Sequence, residues 1–105
     1  ASIYSYYYGL MSMAKRRMNE CSLNVTHFAS DLRKSTKEES GIKLTAKDLD
    51  DTVMSNATYS ALQNSVDDAT FKYEMLKGLV RALEQKKDML QQVSANKREE
   101  TKLYK

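Results

Sequence analysis

Proline and tryptophan are missing from this sequence of 105 residues, and only three glycines interrupt it. Because proline breaks helices and glycine weakens them, their scarcity favours long, uninterrupted helices over a sheet. No stretch approaches the roughly 18 consecutive apolar residues of a membrane span, and no signal-peptide pattern opens the chain. We therefore predict a single helical domain over residues 1–105 that does not enter a membrane.

Residues that usually carry chemistry are also scarce. The one cysteine, Cys21, excludes an intramolecular disulfide and fits a reducing compartment, so we expect a cytoplasmic protein. The one histidine, His27, has no second histidine, cysteine or acidic pair at metal-ligand spacing. The sequence contains no glycine-rich phosphate loop and no set of residues that His27 could complete as a catalytic triad. We predict no enzyme activity, no cofactor and no bound metal.

Apolar and small residues recur at alternating intervals of three and four in the first third of the chain. They are Tyr4, Tyr7, Met11, Ala14, Met18, Cys21, Val25, Phe28 and Leu32. This spacing places them on one face of a helix that we predict from about Ser2 to about Lys34. Because methionine, alanine, cysteine and tyrosine dominate this seam, irregular packing between unlike helices is favoured over a strict zipper.

A second stripe with the same spacing runs through the last third of the chain. It consists of Leu62, Val66, Ala69, Tyr73, Leu76, Val80, Leu83 and Leu90. We predict a helix from the cap residue Asn56 to about Thr101, and a second cap-like pair at residues 64–65 leaves a break there open. An apolar stripe on a helix needs a partner helix to shield it from water, and each of these two helices shields the other if the chain folds back on itself.

The segment between the stripes predicts a turn and a short helix. Gly41 marks the turn, and Thr45 followed by Asp48 is typical of a helix start, giving a helix from about Ala46 to Ser55. The predicted fold is all-α: an elongated antiparallel hairpin of two long helices joined by a short helix.

Two features predict that the hairpin forms oligomers. Beyond Leu83 the second stripe degrades, while Met89 and Val93 open a neighbouring face. Four tyrosines within residues 4–8 expose more aromatic surface than one partner helix can cover. The candidate subunit interface is therefore Tyr4, Tyr7, Tyr8, Met89 and Val93. The alternative interpretation of the tyrosines is a platform on which bases stack.

Basic side chains suggest a partner with phosphate groups. The candidate contacts on the first helix and in the following turn are Lys15, Arg16, Arg17, Arg33, Lys34 and Lys37. Such groups neutralise phosphates and release counterions, which gives salt-sensitive, sequence-independent binding to nucleic acid. The alternative is an ordinary solvated surface, in which neighbouring acidic residues pair with these cations. One chain has a net charge of only +3, which attracts nucleic acid weakly. We therefore expect strong binding only where the basic residues of several subunits lie close together.

Several stretches together resemble one known family. The long basic helix from Ile3-Tyr-Ser onward, the run Ile42-Lys-Leu-Thr before an acidic short helix, and Ala57-Thr-Tyr-Ser60 are similar to phage recombination mediators of the UvsY type. Residues 72–91, KYEMLKGLVRALEQKKDMLQ, are similar to the C-terminal helix of that family. The chain begins close to the first helix, without the leading segment of that family, so we expect a shortened form.

This resemblance implies a small helical oligomer that binds single-stranded DNA. Such mediators help to load a RecA-like recombinase onto DNA covered by single-strand binding protein, so both proteins are implied as partners. The DNA-contacting basic residues of the family lie late in the first long helix and correspond best to Arg33 and Lys34. Where the family has aromatic residues after them, this chain has Ser35 and Thr36.

Two hypotheses follow from the sequence. The first is a recombination mediator, without enzyme activity, that binds single-stranded DNA as a homo-oligomer. The second is a helical scaffold or adaptor that assembles through coiled-coil packing and is indifferent to nucleic acid.

Overall fold

The chain folds as three helices in a computed structural model that describes residues 2–103, with side chains through Glu99. Helix α1 spans Ile3–Glu39, α2 spans Ala46–Met54 and α3 spans Ala57–Leu103. No strand occurs within these described residues. The predicted all-α hairpin of two long helices joined by a short one is confirmed.

Helix α1 extends further than the sequence predicts. The hydroxyl of Ser2 caps its start by accepting a hydrogen bond from the Ser5 N–H at 3.1 Å. The predicted end at Lys34 is wrong, because residues 35–39 contain no helix breaker and continue the helix to Glu39. The chain leaves the helix only at Gly41, whose φ of +62° is the left-handed conformation that glycine adopts readily at helix ends.

Helix α2 begins with the predicted capping pair. The Thr45 hydroxyl accepts from the Asp48 N–H at 3.2 Å, and the Asp48 carboxylate accepts from the Thr45 N–H at 3.2 Å. Both bonds satisfy donors that would otherwise lack a partner at the helix start, and the carboxylate also stabilises the positive end of the helix dipole. The helix ends at Met54, one residue before the predicted end.

Replacing the capping threonine tests this start directly. We expect Thr45→Ala to lower the free energy of unfolding by about 1 kcal/mol, because it leaves an N–H of the first turn without its acceptor. Thr58→Ala is the matched control, since Thr58 is exposed and should change stability by only a few tenths of a kcal/mol. Urea unfolding followed by circular dichroism measures both; equal midpoints for the two variants would contradict the capping role.

Helix α3 is continuous from Ala57 to Leu103. The side-chain oxygen of Asn56 accepts from the Tyr59 N–H at 3.0 Å, which confirms Asn56 as the cap. The break left open at residues 64–65 does not occur. The Ser65 hydroxyl instead donates to the carbonyl of Ala61 at 3.3 Å, a bond that serine forms inside a helix.

The two predicted stripes face each other and form the core. Every residue of the first stripe is buried or half-buried, and so is every residue of the second stripe from Leu62 to Leu83. Among the described residues, the most buried are Cys21, Val25 and Ala29 of α1, Val53 of α2, and Ala69 and Val80 of α3. Helix α2 packs on the other two helices near the turn and closes that end of the hairpin.

One hydrogen bond defines the register at the open end of the hairpin. The Tyr4 hydroxyl donates to the Glu84 carboxylate at 2.7 Å. This bond to a carboxylate raises the pKa of Tyr4 above its ordinary value, so its contribution to stability is lost as the pH rises through that raised pKa. Because α1 begins at Ile3, almost 20 residues of α3, about 28 Å of helix, extend beyond the hairpin.

We call residues 86–103 of α3 the overhang. The side chains described in it, from Lys86 to Glu99, are all exposed. The radius of gyration of the chain is 24.5 Å, compared with about 13 Å for a compact domain of 100 residues. The elongated shape predicted from the sequence is therefore confirmed.

Candidate nucleic-acid interface

The consecutive cations Lys15, Arg16 and Arg17 do not form one patch. Successive helical residues point about 100° apart, so the three side chains leave α1 in different directions. Arg17 lies beside α3, in a depression shared with Asp68 and Lys72. Arg16 points away from the seam, and one strand of nucleic acid cannot contact all three residues at once.

Arg33 has a structural role that its position in the sequence does not reveal. Its guanidinium donates to the Asp50 carboxylate of α2 at 2.9 Å, and the two side chains are 46% and 60% exposed. Water screens an ion pair this exposed, so it contributes little to stability, but it links α2 to α1. A phosphate group that approaches Arg33 would compete with Asp50.

Three other cations lie along the outer face of α1. We call Arg16, Lys34 and Lys37 the basic back, because they occupy helical positions opposite or far from the seam. Among the described residues, none of the three forms a salt bridge with a carboxylate. Arg16 and Lys37 are 21 residues apart, which is about 32 Å along the helix. The basic back is therefore long and convex, and it tracks a flexible strand better than it encloses a small ligand.

Acidic residues weaken the field of a single chain at this surface. Asp31, Glu38 and Glu39 are exposed on the same end of α1 as Lys34 and Lys37. One copy of the basic back therefore offers few contacts, and strong binding needs several copies along one strand.

The tyrosine cluster is divided between the core and the surface. Tyr4 and Tyr7 are half-buried against α3, and the Tyr4 hydroxyl is used within the chain. Tyr6 and Tyr8 are exposed, and each ring contacts another tyrosine, with centroids 5.2 Å apart for Tyr6–Tyr7 and 6.0 Å for Tyr4–Tyr8. Tyr8 therefore remains available to a second molecule, whereas Tyr4 and Tyr7 offer only part of their rings.

An exposed apolar stripe on α1 was missed from the sequence. Ile3, Tyr6 and Met13 are exposed, and Leu10 between them is half-buried. Their intervals of three, four and three place them on one side of α1, beside the seam. These intervals of three and four are the same signal that identifies the seam, so the stripe is visible in the sequence.

A groove between the two long helices lies next to this stripe. It is lined by Ala14 of α1 and by Lys72, Met75, Leu76 and Leu79 of α3, and its volume is about 470 Å³. Its lining is almost entirely apolar apart from the head of the lysine. A groove of this kind between exposed methionine and leucine side chains is typical of a surface that receives another helix.

No other described residue covers the predicted interface residues of the overhang. Met89 is 65% exposed, and Leu90 and Val93 are also exposed. Leu90 also lines a shallow depression on the seam side of α3, together with Leu83 and Lys87. This side of α3 is therefore open to a second molecule.

The described part of the chain contains neither a group of metal ligands nor a membrane-spanning helix. It holds no group of three or more histidine, cysteine or acidic side chains that is suited to a metal ion. None of its helices combines the length and the apolar character that crossing a bilayer requires.

Comparisons of the chain with protein-family models, with curated proteins and with solved structures found no match.

Proposed function

We propose that this protein binds single-stranded DNA as a homo-oligomer and has no enzyme activity. The observation that supports this most directly is the basic back of α1, where Arg16, Lys34 and Lys37 are exposed along about 32 Å of a helix. Cations without acidic partners exchange their counterions for phosphates at little cost, and a convex surface accepts a flexible strand.

The resemblance to phage recombination mediators extends this proposal to a role. In that role the oligomer would hold single-stranded DNA while a RecA-like recombinase replaces single-strand binding protein, in the cytoplasm. Arg33 joins the binding surface only if phosphate displaces Asp50 from its guanidinium. For this reason Lys34 and Lys37 are better first targets for mutation than Arg33.

Salt dependence of binding provides the test. We expect the chain to bind a fluorescein-labelled oligothymidylate, with an affinity that falls steeply as salt rises, by about 0.7 in log K per unit of log salt for each phosphate neutralised. Fluorescence anisotropy measures the affinity, and light scattering on the same samples measures the mass of the complex. A protein that gives no change in anisotropy at low salt would contradict the proposal.

A second candidate function is a scaffold that assembles through its helices and ignores nucleic acid. The apolar groove between Ala14 and Leu79 favours it, because such a surface serves assembly whatever the charge nearby. The same experiment separates the two functions: a stable oligomer with no affinity for DNA at any salt concentration would support the scaffold.

A further inference from the structure

The overhang of α3 presents an apolar surface that no other described residue covers. Met89, Leu90 and Val93 are exposed, and they lie beyond Glu84, the residue of α3 that bonds to Tyr4 in the first turn of α1. An isolated helix with such a surface is marginally stable in water, and most of the stability of a helix comes from packing. Among the described residues, none covers this surface, which leaves it open to a second molecule.

The groove on the same hairpin has the matching chemistry. It is open and apolar, and Met75 on its rim is 60% exposed. It lies on α3 about 14 residues, or about 21 Å, before Met89. Because of this separation the overhang of one chain cannot fold back into its own groove without breaking α3, which is continuous.

The sequence of α3 is self-complementary about its own midpoint. Exposed apolar residues are placed nearly symmetrically around Ala82: Met75 and Met89 lie seven residues on either side of it, and Phe71 and Val93 lie eleven. Two copies of α3 that run antiparallel, with their Ala82 residues adjacent, place Met89 of each copy against Met75 of the other. A twofold interface has this property, since each surface meets the same surface of its partner.

The charges at the two ends of this stripe support the same arrangement. Asp67 and Asp68 come just before it, and Lys97 and Arg98 come just after it. About the midpoint at Ala82, Asp68 of one copy lies close to Lys97 of the other at both ends of the interface, whereas Arg98 points about 160° away from Ala82 around the helix. Opposite charges at matching ends favour the antiparallel register and disfavour a parallel one.

We propose that a second copy of this chain occupies the groove: the overhang of each copy packs antiparallel into the groove of the other. Met89, Leu90 and Val93 of one copy then contact the groove formed by Ala14, Met75 and Leu79 of its partner. The pairing covers about 33 Å of α3 in each copy, from Phe71 to Val93. It rests on the oligomeric part of the proposed function and specifies the surface that carries it.

Disulfide trapping tests the predicted register. In a Met75→Cys, Met89→Cys double variant, mild oxidation is expected to give a covalent dimer as the main product on a non-reducing gel. The two new cysteines of one chain are about 21 Å apart, beyond the roughly 7 Å between Cα atoms that a disulfide allows, so the bond must join two chains. Each single variant should stay monomeric on the gel, and Leu23→Cys with Met89→Cys controls for random collisions, since Leu23 is equally exposed on another face.

Charge-reversal variants test whether the partner in the groove is a second copy of this chain. Asp67→Lys with Asp68→Lys is expected to lower the mass seen by light scattering, because like charges then meet at both ends of the interface. Adding Lys97→Asp to the same chain should recover much of the mass, an outcome that only a second copy of this chain explains. The proposal would be overturned if the helicity is unchanged but the restored charges do not bring back the oligomer mass measured by light scattering.

The outcomes for docking and for DNA binding are separate. A wild-type chain that is monomeric yet binds DNA would overturn the docking and leave the DNA binding intact. A chain that gives the cross-link between positions 75 and 89 but does not bind DNA would contradict the proposed DNA binding and still support the proposed docking between two copies.

Discussion

A chain that carries Arg16→Gln, Lys34→Gln and Lys37→Gln is expected to bind single-stranded DNA roughly 100-fold more weakly than wild type at low salt. The three side chains are exposed and outside the seam, so their loss should leave the hairpin and its thermal unfolding almost unchanged. The dependence of log K on log salt should also become shallower by about 2, since three phosphate contacts are lost.

Net charge alone must be separated from this local effect. The substitutions Thr58→Glu, Ser60→Glu and Asn64→Glu lower the net charge by the same amount, but at exposed positions of α3 outside the stretch from Phe71 to Val93. We expect that control to weaken binding by only a few-fold through general repulsion. If both triple variants bind equally well, the basic back is not the DNA surface.

Asp50→Asn provides a change in the opposite direction. It removes the carboxylate from Arg33 without removing a cation, so DNA affinity should rise if Arg33 contributes to the binding surface. An unchanged affinity would assign Arg33 to the link between α1 and α2 alone.

The second large effect is expected in the core, where Val80→Asp should unfold the hairpin. Val80 is 4% exposed and lies in the seam of α3, opposite the first turns of α1. A carboxylate there would lose its hydration without gaining a partner, at a cost of about 4 kcal/mol or more, which is comparable to the total stability of a small domain. Because packing supplies most of the stability of helices in proteins, the helical signal in circular dichroism should fall across the whole chain.

Two variants serve as controls for this result. Gln92→Asp places the same carboxylate at an exposed position of α3 and should keep the helical signal. Val80→Ala removes volume without adding charge and should cost about 1–3 kcal/mol, so the midpoint of unfolding should fall while the fold persists. A Val80→Asp chain with wild-type helicity and midpoint would show that this seam is not the core.

The fold was largely predictable because its information is local and periodic. The intervals of three and four from Tyr4 to Leu32 identify a helix and its buried side without knowledge of the rest of the chain. The pair formed by Thr45 and Asp48 marks the start of α2 for the same reason, since both atoms of the cap lie within one turn. The end of α1 was wrong because a polar stretch was interpreted as a turn, whereas only Gly41 has the backbone conformation that ends the helix.

The candidate site was less predictable because it depends on contacts between distant residues. The ion pair of Arg33 with Asp50 spans 17 residues and follows from the way α2 packs on α1, which no spacing in the sequence encodes. The groove between Ala14 and Met75 likewise exists only after the register of the hairpin is known. The overhang was easier to predict, because the second stripe already degrades beyond Leu83, and that part of α3 is exposed in the structure.

The register of the hairpin also determines the order in which it closes. Contacts near α2 join residues that are close in sequence, whereas the bond between Tyr4 and Glu84 joins residues 80 positions apart. Closing the longer loop costs more chain entropy, so the helices zip up from the turn and the Tyr4 end forms last. That end is accordingly the first to fray, and an occupant of the groove beside it would act as a clamp on the weakest part of the hairpin.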